Sequence, residues 1–393
     1  MVDKECTKRV LQIVSSMDRG GAETLLMNIY RKMDREKVQF DFITHSTKKG
    51  DFDDEIISLG GKVFQIPSLG ELGPIRYLKE LTKIMSANKY LAIHSHTDYQ
   101  GGFPALAAKI CGIKQRICHS HSNNWPQGNS YKARLTLKFL QTLIKMTATN
   151  YCSCSIDAAE FLFGRKMVDQ GKVDILKNGI DISQFINEKN CRDSVIQEFS
   201  LPKEAKILGH VGRFSESKNH YFILKVFKKV IETDPSFIAL FVGDGPLKGQ
   251  IEKEAEKLGL IKSIRFLGVR ADIPRLMKAF DVFIFPSLFE GFGIVTLEAQ
   301  CAGTPCVVSD AIPKTTDMGL DLLSFISLEE DIAFWAQELK NAFLIKNPDY
   351  EIINKTIIKN GFSIQDNVPK WLSLYLNENK NINIKSVDLP IRS

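Results

Sequence analysis

Two carboxylates eight positions apart, in Glu290-Gly-Phe-Gly-Ile-Val-Thr-Leu-Glu298, are the residues of this chain best placed to do chemistry. The apolar run Val282-Phe-Ile-Phe285 ahead of them predicts a buried strand, and Ile294 to Cys301 predicts a helix that starts after Gly293. Glu290 then lies in a loop and Glu298 one turn into the helix. Between them, the free N–H groups of Gly291, Phe292, Gly293, Ile294 and Val295 can hold a phosphate without any side chain. An ionised carboxylate only accepts hydrogen bonds, so one on each side of a phosphate suits two sets of sugar hydroxyls. A solvated helix cap is the plain alternative for the same residues.

Other loops repeat the strand–loop–helix position. Gly212-Arg213-Phe-Ser-Glu-Ser-Lys218 delivers two cations five residues apart, Arg213 as a bidentate fork for phosphate and Lys218 as a mobile point charge. Gly243-Asp-Gly245-Pro and Phe266-Leu267-Gly-Val269 end the next two strands. The glycines let backbone approach a ligand, so Gly243, Gly245, Leu267 and Val269 are candidates to hold a nucleobase, with simple turns as the alternative. Near the start, Gly20-Gly21 opens a helix without the full Gly-x-Gly-x-x-Gly fingerprint, which argues against a nicotinamide dehydrogenase. Its amides can still face an anion, and Glu23 suits the first helical turn. Two polar clusters, His94-Ser-His96-Thr-Asp98 and His119-Ser-His121, end apolar strands. Burying so many polar groups is costly, which predicts a cleft edge for them; satisfaction within the fold is the alternative for His94 and His96. Asn178-Gly-Ile-Asp181 reads as a structural turn.

The elements that must position these residues alternate along the whole chain. Strands at 10–15, 38–44, 62–66, 91–94, 116–118, 151–154 and 173–176, with helices between them, predict a doubly wound parallel sheet, α/β in class. The pattern repeats from Ile207 to Val308. With 393 residues the chain exceeds the size at which one core stops growing, roughly 250–300 residues, so two domains follow. The boundary is expected in the polar stretch 187–200, giving domains at 1–186 and 187–365. A last helix in 366–393 packs back toward the first domain before a charged tail. Ligands of such sheets bind at the carboxyl ends of strands, which places all the loops above along one cleft.

The composition, 44% hydrophobic and 25% charged, is that of a soluble globular protein, and no apolar run is long enough to span a membrane. A polar N-terminus predicts a cytoplasmic place. The eight cysteines are scattered, and Cys152-Ser-Cys154 has no metal-ligand partners in sequence. The net charge of +6 is modest and names no nucleic-acid partner. It is concentrated in 130–146, where Lys132, Arg134, Lys138 and Lys145 surround Leu135, Phe139, Leu140, Leu143 and Ile144. Such a helix suits the anionic inner face of a membrane, or equally a core-packed helix with solvated lysines.

Taken together, Gly-Arg213…Lys218, Gly243-Asp-Gly-Pro, Phe266-Leu-Gly and Glu290-Gly-Phe-Gly…Glu298 resemble the retaining glycosyltransferases of family 4. The resemblance covers roughly 9–376 and is nearest to bacterial enzymes of capsular and exopolysaccharide assembly. It implies the GT-B fold, two Rossmann-like domains facing across a cleft, and transfer of a hexosyl group from a nucleotide sugar, with UDP preferred. The acceptor it implies is a glycan or a lipid-linked saccharide. In this family Glu298 would bind the ribose, Glu290 the donor sugar, and Arg213 with Lys218 the diphosphate. Gly20 and Gly21 would contact the donor phosphate from across the cleft. His121, or by spacing His119, would contact the donor sugar. No Asp-x-Asp is expected in the cleft loops, so no divalent metal or other cofactor is required. A nucleotide-sugar epimerase or hydrolase, or a silent sugar-nucleotide-binding subunit, are the competing functions on the same scaffold.

Overall fold

A computed structural model of the chain describes residues 7–122, 125, 128, 130–186 and 190–376. Runs of apolar and β-branched residues form two parallel sheets. The first contains β1 (Lys8–Val14), β2 (Val38–Thr44), β3 (Val63–Gln65), β4 (Ala92–Ser95), β5 (Gln115–Ser120), β6 (Asn150–Ser153) and β7 (Val173–Ile175). The second contains β8 (Lys206–Val211), β9 (Phe237–Val242), β10 (Ile264–Gly268), β11 (Val282–Phe285), β12 (Cys306–Ser309) and β13 (Leu323–Ile326). Their orders are β3-β2-β1-β4-β5-β6-β7 and β10-β9-β8-β11-β12-β13. Both are doubly wound, and in each the order reverses between two central strands, β1 beside β4 and β8 beside β11. Open α/β sheets bind their ligands in the crevice at such switch points, because the loops on either side leave in opposite directions. β2, β9 and β11 are buried at every position, as sheets covered on both faces require.

After β7 the chain crosses between the domains. Ile180, Ile182 and Phe185 pack, together with Cys154 and Ala158 from the first domain, into the cluster that holds much of the second domain's core. The polar stretch expected as a linker forms the helix Cys191–Glu198 in that domain, tied by Arg275 Nη1 donating to Ser194 Oγ (2.9 Å). The two crossing segments of chain run side by side, Ile180 pairing with Ser363 in a parallel bridge. At this point Gly179 has no room for a side chain, since a methyl would meet Ile364 Cδ1 at 2.9 Å. The C-terminal helix Ile364–Leu376 then returns as expected, burying Ile364, Val368, Trp371 and Tyr375 in the core of the first domain.

The basic helix Tyr131–Thr147 divides its apolar residues differently from the expectation. Ala133, Leu140 and Ile144 face inward, whereas Leu135 and Phe139 lie on the outer face. The outer stripe also includes Tyr131 and Met146; Tyr131, Leu135, Phe139 and Met146 are 82, 51, 59 and 69% exposed. No helix among the described residues is long and apolar enough to cross a membrane.

Candidate active site

The loops that leave the two switch points face one another. After β1, Gly20 caps the helix Gly21–Lys32 with no side-chain bond, and after β11, Gly293 does the same for Ile294–Ala302 at φ 78°, a conformation only glycine adopts freely. A methyl added to Gly21 would lie 3.4 Å from Ile294 Cγ2, so the two helix N-termini meet across the cleft. Each carries a partial positive charge of about half an electron at its N-terminus. An anion between them is drawn from both sides.

On the second domain, the loop after β8 carries Arg213, exposed, and Lys218, half-buried. Lys218 Nζ forms an ion pair with Glu290 Oε1 and sits 4.8 Å from the Phe285 ring centroid. The cation assigned to the diphosphate and the carboxylate assigned to the sugar are thus each other's partners here. Leu288 N–H donates to Ser217 O (2.8 Å), which holds their loops together. Glu298 lies one turn into its helix, and burial alone pushes its carboxyl from an ordinary 4.5 to about 7. Ribose hydroxyls are the kind of donors such a group lacks.

The glycines of the neighbouring loop serve a different neighbour. A side chain on Gly243 would strike Gly212 O, and one on Gly245 would meet the Phe214 backbone, with its N 2.7 Å away. Their missing side chains make room for the Arg213 loop, whose Phe214 N–H donates to Asp244 O (2.9 Å). Leu267 is half-buried against the core and Val269 is exposed.

On the first domain, the structure separates the two histidine candidates. β5 extends two residues beyond its expected end, so His119 lies within the strand and is wholly buried. His121 lies past the strand and meets the second domain: a methyl on Gly291 would overlap its carbonyl oxygen and stand 3.2 Å from Ser122 Cα. Close approach of Gly291 to His121 is a second contact across the cleft, beside that of Gly21 with Ile294. Asp98, held at φ 47°, accepts the His121 N–H at Oδ1 (2.6 Å) and fixes the loop from behind. His94 and His96 are also buried, against the expectation of a cleft edge. Their desolvation is offset by hydrogen bonds among themselves, with Gln12 and with Tyr375, which the sequence could not bring together. Burial and neighbouring histidines hold His94, His96 and His119 well below their ordinary pKa, and burial lowers His121 to about 4, so the rings are neutral.

Two acids join the cleft: Asp98, from a cluster expected at its edge, and Glu23, which the sequence reading does not assign to it. Glu23 folds back over Gly20 and feels Asp18, Arg213 and Asp98; burial raises it to about 7, and burial does the same for Asp98. From sequence, Glu23 is no more than a helix-start residue. The one local hint for either is an acid just beyond a strand.

Atoms of His94, His96 and His119 lie within 4.8 Å of one another, close enough for metal ligation. Their rings are stacked or tilted, His94 on His119 at 16° and His96 on His119 at 37°, and nitrogens of all three are committed to hydrogen bonds. An Asp-x-Asp does occur beside the Gly20 loop, at Asp51-Phe-Asp53, contrary to expectation. Its carboxylates bond backbone: Asp51 Oδ2 accepts Arg19 N–H (3.1 Å) and Asp53 Oδ2 accepts Gly50 N–H (2.9 Å).

Residues 192–319 match the family described as glycosyl transferases group 1, and residues 19–184 match glycosyltransferase family 4. The putative glycosyltransferase EpsF of Bacillus subtilis is 42% identical over 369 residues, covering 94% of this chain and 96% of EpsF. The chain belongs to this glycosyltransferase family. A further relative is the Escherichia coli UDP-Gal:α-D-GlcNAc-diphosphoundecaprenol α-1,3-galactosyltransferase, 27% identical over 80% of this chain and 84% of its own length. Among solved structures, Anabaena HepE in complex with UDP and glucose superposes with a TM-score of 0.74 over 94% of this chain and 100% of that one, at 21% identity. The fold is GT-B, and the protein is a transferase whose two family segments meet at the cleft described above.

Proposed function

We propose that this glycosyltransferase moves a hexosyl group from a UDP-sugar, with retention of configuration, to a lipid-linked saccharide in the assembly of a cell-surface polysaccharide. The observation that carries the reading is the meeting of two helix N-termini beside Arg213 and Lys218, a site for a diphosphate between two sugars. HepE is named with UDP and glucose, and the E. coli relative with a UDP-sugar and a diphosphoundecaprenol acceptor; both support these choices of donor and acceptor.

As the anomeric carbon loses the diphosphate, negative charge grows on the leaving oxygen. Arg213, Lys218 and the amides that follow Gly293 are fixed groups aimed at that charge, and one such donor is typically worth about 3–4 kcal/mol. Glu290 exchanges Lys218 for sugar hydroxyls when the donor binds, which frees the ammonium for the diphosphate. Glu298 takes the ribose. His121, held by Asp98 and adjoining Gly291, faces the sugar. The acceptor hydroxyl attacks on the face that the diphosphate leaves, and the departing phosphate oxygen takes its proton. The cations and helix termini carry the charge that a divalent metal bears in other transferases, so no metal is required.

The outer face of Tyr131–Thr147 fits the same acceptor. Its stripe of Tyr131, Leu135, Phe139 and Met146 is flanked by Lys132, Arg134, Lys138 and Lys145. The helix begins ten residues after His121, at the sheet end that forms the cleft. A membrane surface bound there would present a lipid-linked saccharide to the site. The test is a screen of UDP-sugars with polyprenyl-diphosphate-linked saccharides, with and without chelator. Product bearing the retained anomeric linkage in chelator supports the proposal; a free sugar or an epimer without acceptor dependence overturns it.

A further inference from the structure

Beneath the cleft, six polar side chains form one unbroken hydrogen-bonded line. His121 Nε2 meets His96 Nδ1 (2.8 Å), and His96 Nε2 meets Gln12 Oε1 (2.9 Å). Gln12 Nε2 donates to Tyr375 Oη (3.1 Å), Tyr375 Oη meets His94 Nδ1 (2.8 Å), and His94 Nε2 meets His119 Nδ1 (3.1 Å). Gln12, His94, His119 and Tyr375 are completely buried and His96 nearly so, and Trp371 roofs the rings at 5.1 to 6.1 Å between centroids. The far end stops at His119 Nε2, which is buried with no partner among the described residues.

A neutral imidazole has one N–H and one lone pair, so each ring in such a line must donate on one side and accept on the other. The direction at any one link therefore sets the direction at all of them. Only Gln12 breaks the symmetry, because an amide oxygen cannot donate and an amide N–H cannot accept. With Oε1 toward His96, the His96 N–H lies on Nε2 and donates to Gln12. His96 Nδ1 then accepts from His121 Nε2–H, which leaves a lone pair on His121 Nδ1. On the other side, Gln12 Nε2–H donates to Tyr375, whose own O–H donates to His94 Nδ1, and His94 Nε2–H donates to His119. Reversing the amide reverses every link and puts the proton on His121 Nδ1.

We propose that Gln12 and Tyr375 are positioning residues for His121, fixing through His96 which ring nitrogen offers a lone pair at the cleft. Tyr375 is needed because it ties the Gln12 amide to the rest of the line: with Oε1 toward His96, the Tyr375 oxygen accepts from Gln12 while its proton goes to His94, so the amide cannot turn without turning every link. Tyr375 lies on the C-terminal helix, 363 residues from Gln12, so docking of that helix on the first domain also sets the hydrogen-bonding sense of the site. The consequence for the donor rests on the reading of His121 as its sugar contact. A lone pair on Nδ1 accepts from a sugar hydroxyl, whereas an N–H there donates to one.

The test labels the seven histidines with 15N in the full chain and reads, from two-bond couplings, which ring nitrogen of His121 is protonated. His121→Gln assigns the signal. In the wild-type chain His121 is a single Nε2–H tautomer. Tyr375→Phe removes one oxygen and keeps the ring packing, and Gln12→Met removes the amide at similar size; in each, His121 becomes a mixture of tautomers. An unchanged single Nε2–H tautomer in Tyr375→Phe, with the melting temperature within a few degrees of wild type, overturns the proposal, as does an Nδ1–H tautomer in the wild-type chain. The Tyr375→Phe result stands even where Gln12→Met fails to fold. Because the readout is spectroscopic, it is distinguishable from failure of the functional reading, in which His121→Gln would leave transfer from UDP-sugars intact.

Discussion

Replacing Glu298 with glutamine tests the ribose site through pH. Burial raises the Glu298 carboxyl from 4.5 to about 7, with no charged neighbour contributing. A raised carboxyl favours the neutral acid in the folded state. The folded chain therefore keeps its full stability below pH 4.5 and loses it as the pH climbs to 7, while the unfolded chain ionises freely. The gap between the folded and unfolded values corresponds to about 3 kcal/mol. The amide of the variant has no charge to bury. From pH 4.5 to 7.5 the stability of Glu298→Gln relative to wild type therefore rises by about 3 kcal/mol. For a domain of this size that is roughly 6–12 °C in melting temperature. Glu23 and Asp98 are raised for the same reason but are common to both proteins and cancel in the comparison. UDP reverses the ranking. Ribose hydroxyls donate to the ionised carboxylate, so wild-type affinity for UDP falls about tenfold per unit as the pH drops below 7. Loss of a charge-assisted bond in Glu298→Gln costs about 1.5–3 kcal/mol, a weakening of about 10- to 150-fold at pH 8. Titration of the UDP phosphate affects both proteins alike. Thermal melts across pH and calorimetric titration with UDP provide the numbers. A wild-type-to-variant difference in melting temperature that stays flat from pH 4.5 to 7.5 would refute the reasoning.

Gly291→Ala puts a methyl onto the His121 carbonyl and forces the domains apart by about an ångström; transfer is expected to fall about 100-fold while UDP binding changes little, since misplacement of this size spoils alignment first. Lys218→Ala strips the diphosphate of a cation and leaves Glu290 unpaired; kcat should fall about 10²- to 10³-fold, and the added substitution Glu290→Gln should recover stability in a melt but not rate. Leu135→Glu with Phe139→Glu places acids on the exposed stripe; cosedimentation with phosphatidylglycerol vesicles should be lost while the melting temperature is unchanged, and continued binding would remove the membrane role. Trp371→Ala empties a fully buried site where the C-terminal helix meets the histidines; a loss of about 3–5 kcal/mol is expected in a denaturant titration.

Whatever depends on local rules is legible in the residues. Alternating apolar runs and turn glycines place nearly every strand of both sheets to within a few residues, because strand burial and chain reversal are set over short stretches of chain. The loop between Glu290 and Glu298 and the start of its helix at Ile294 are likewise local, and the motifs there mark the family. Other matters lie in contacts between distant segments. Whether His119 or His121 faces the cleft turns on two extra residues of β5, a difference that pairing with β6 settles. Leu135 and Phe139 share helical spacing with Leu140 and Ile144, yet only packing against the neighbouring helix and strands determines which pair is covered. Gln12 in a strand and Tyr375 in the last helix give no sign of each other, nor does Lys218 of Glu290. The sequence by itself determined the two sheets, the loops at their switch points and the class of chemistry. Only the tertiary structure decided how those loops close on one another, because polar groups that are costly to bury singly become stable when the fold supplies their partners from across the chain.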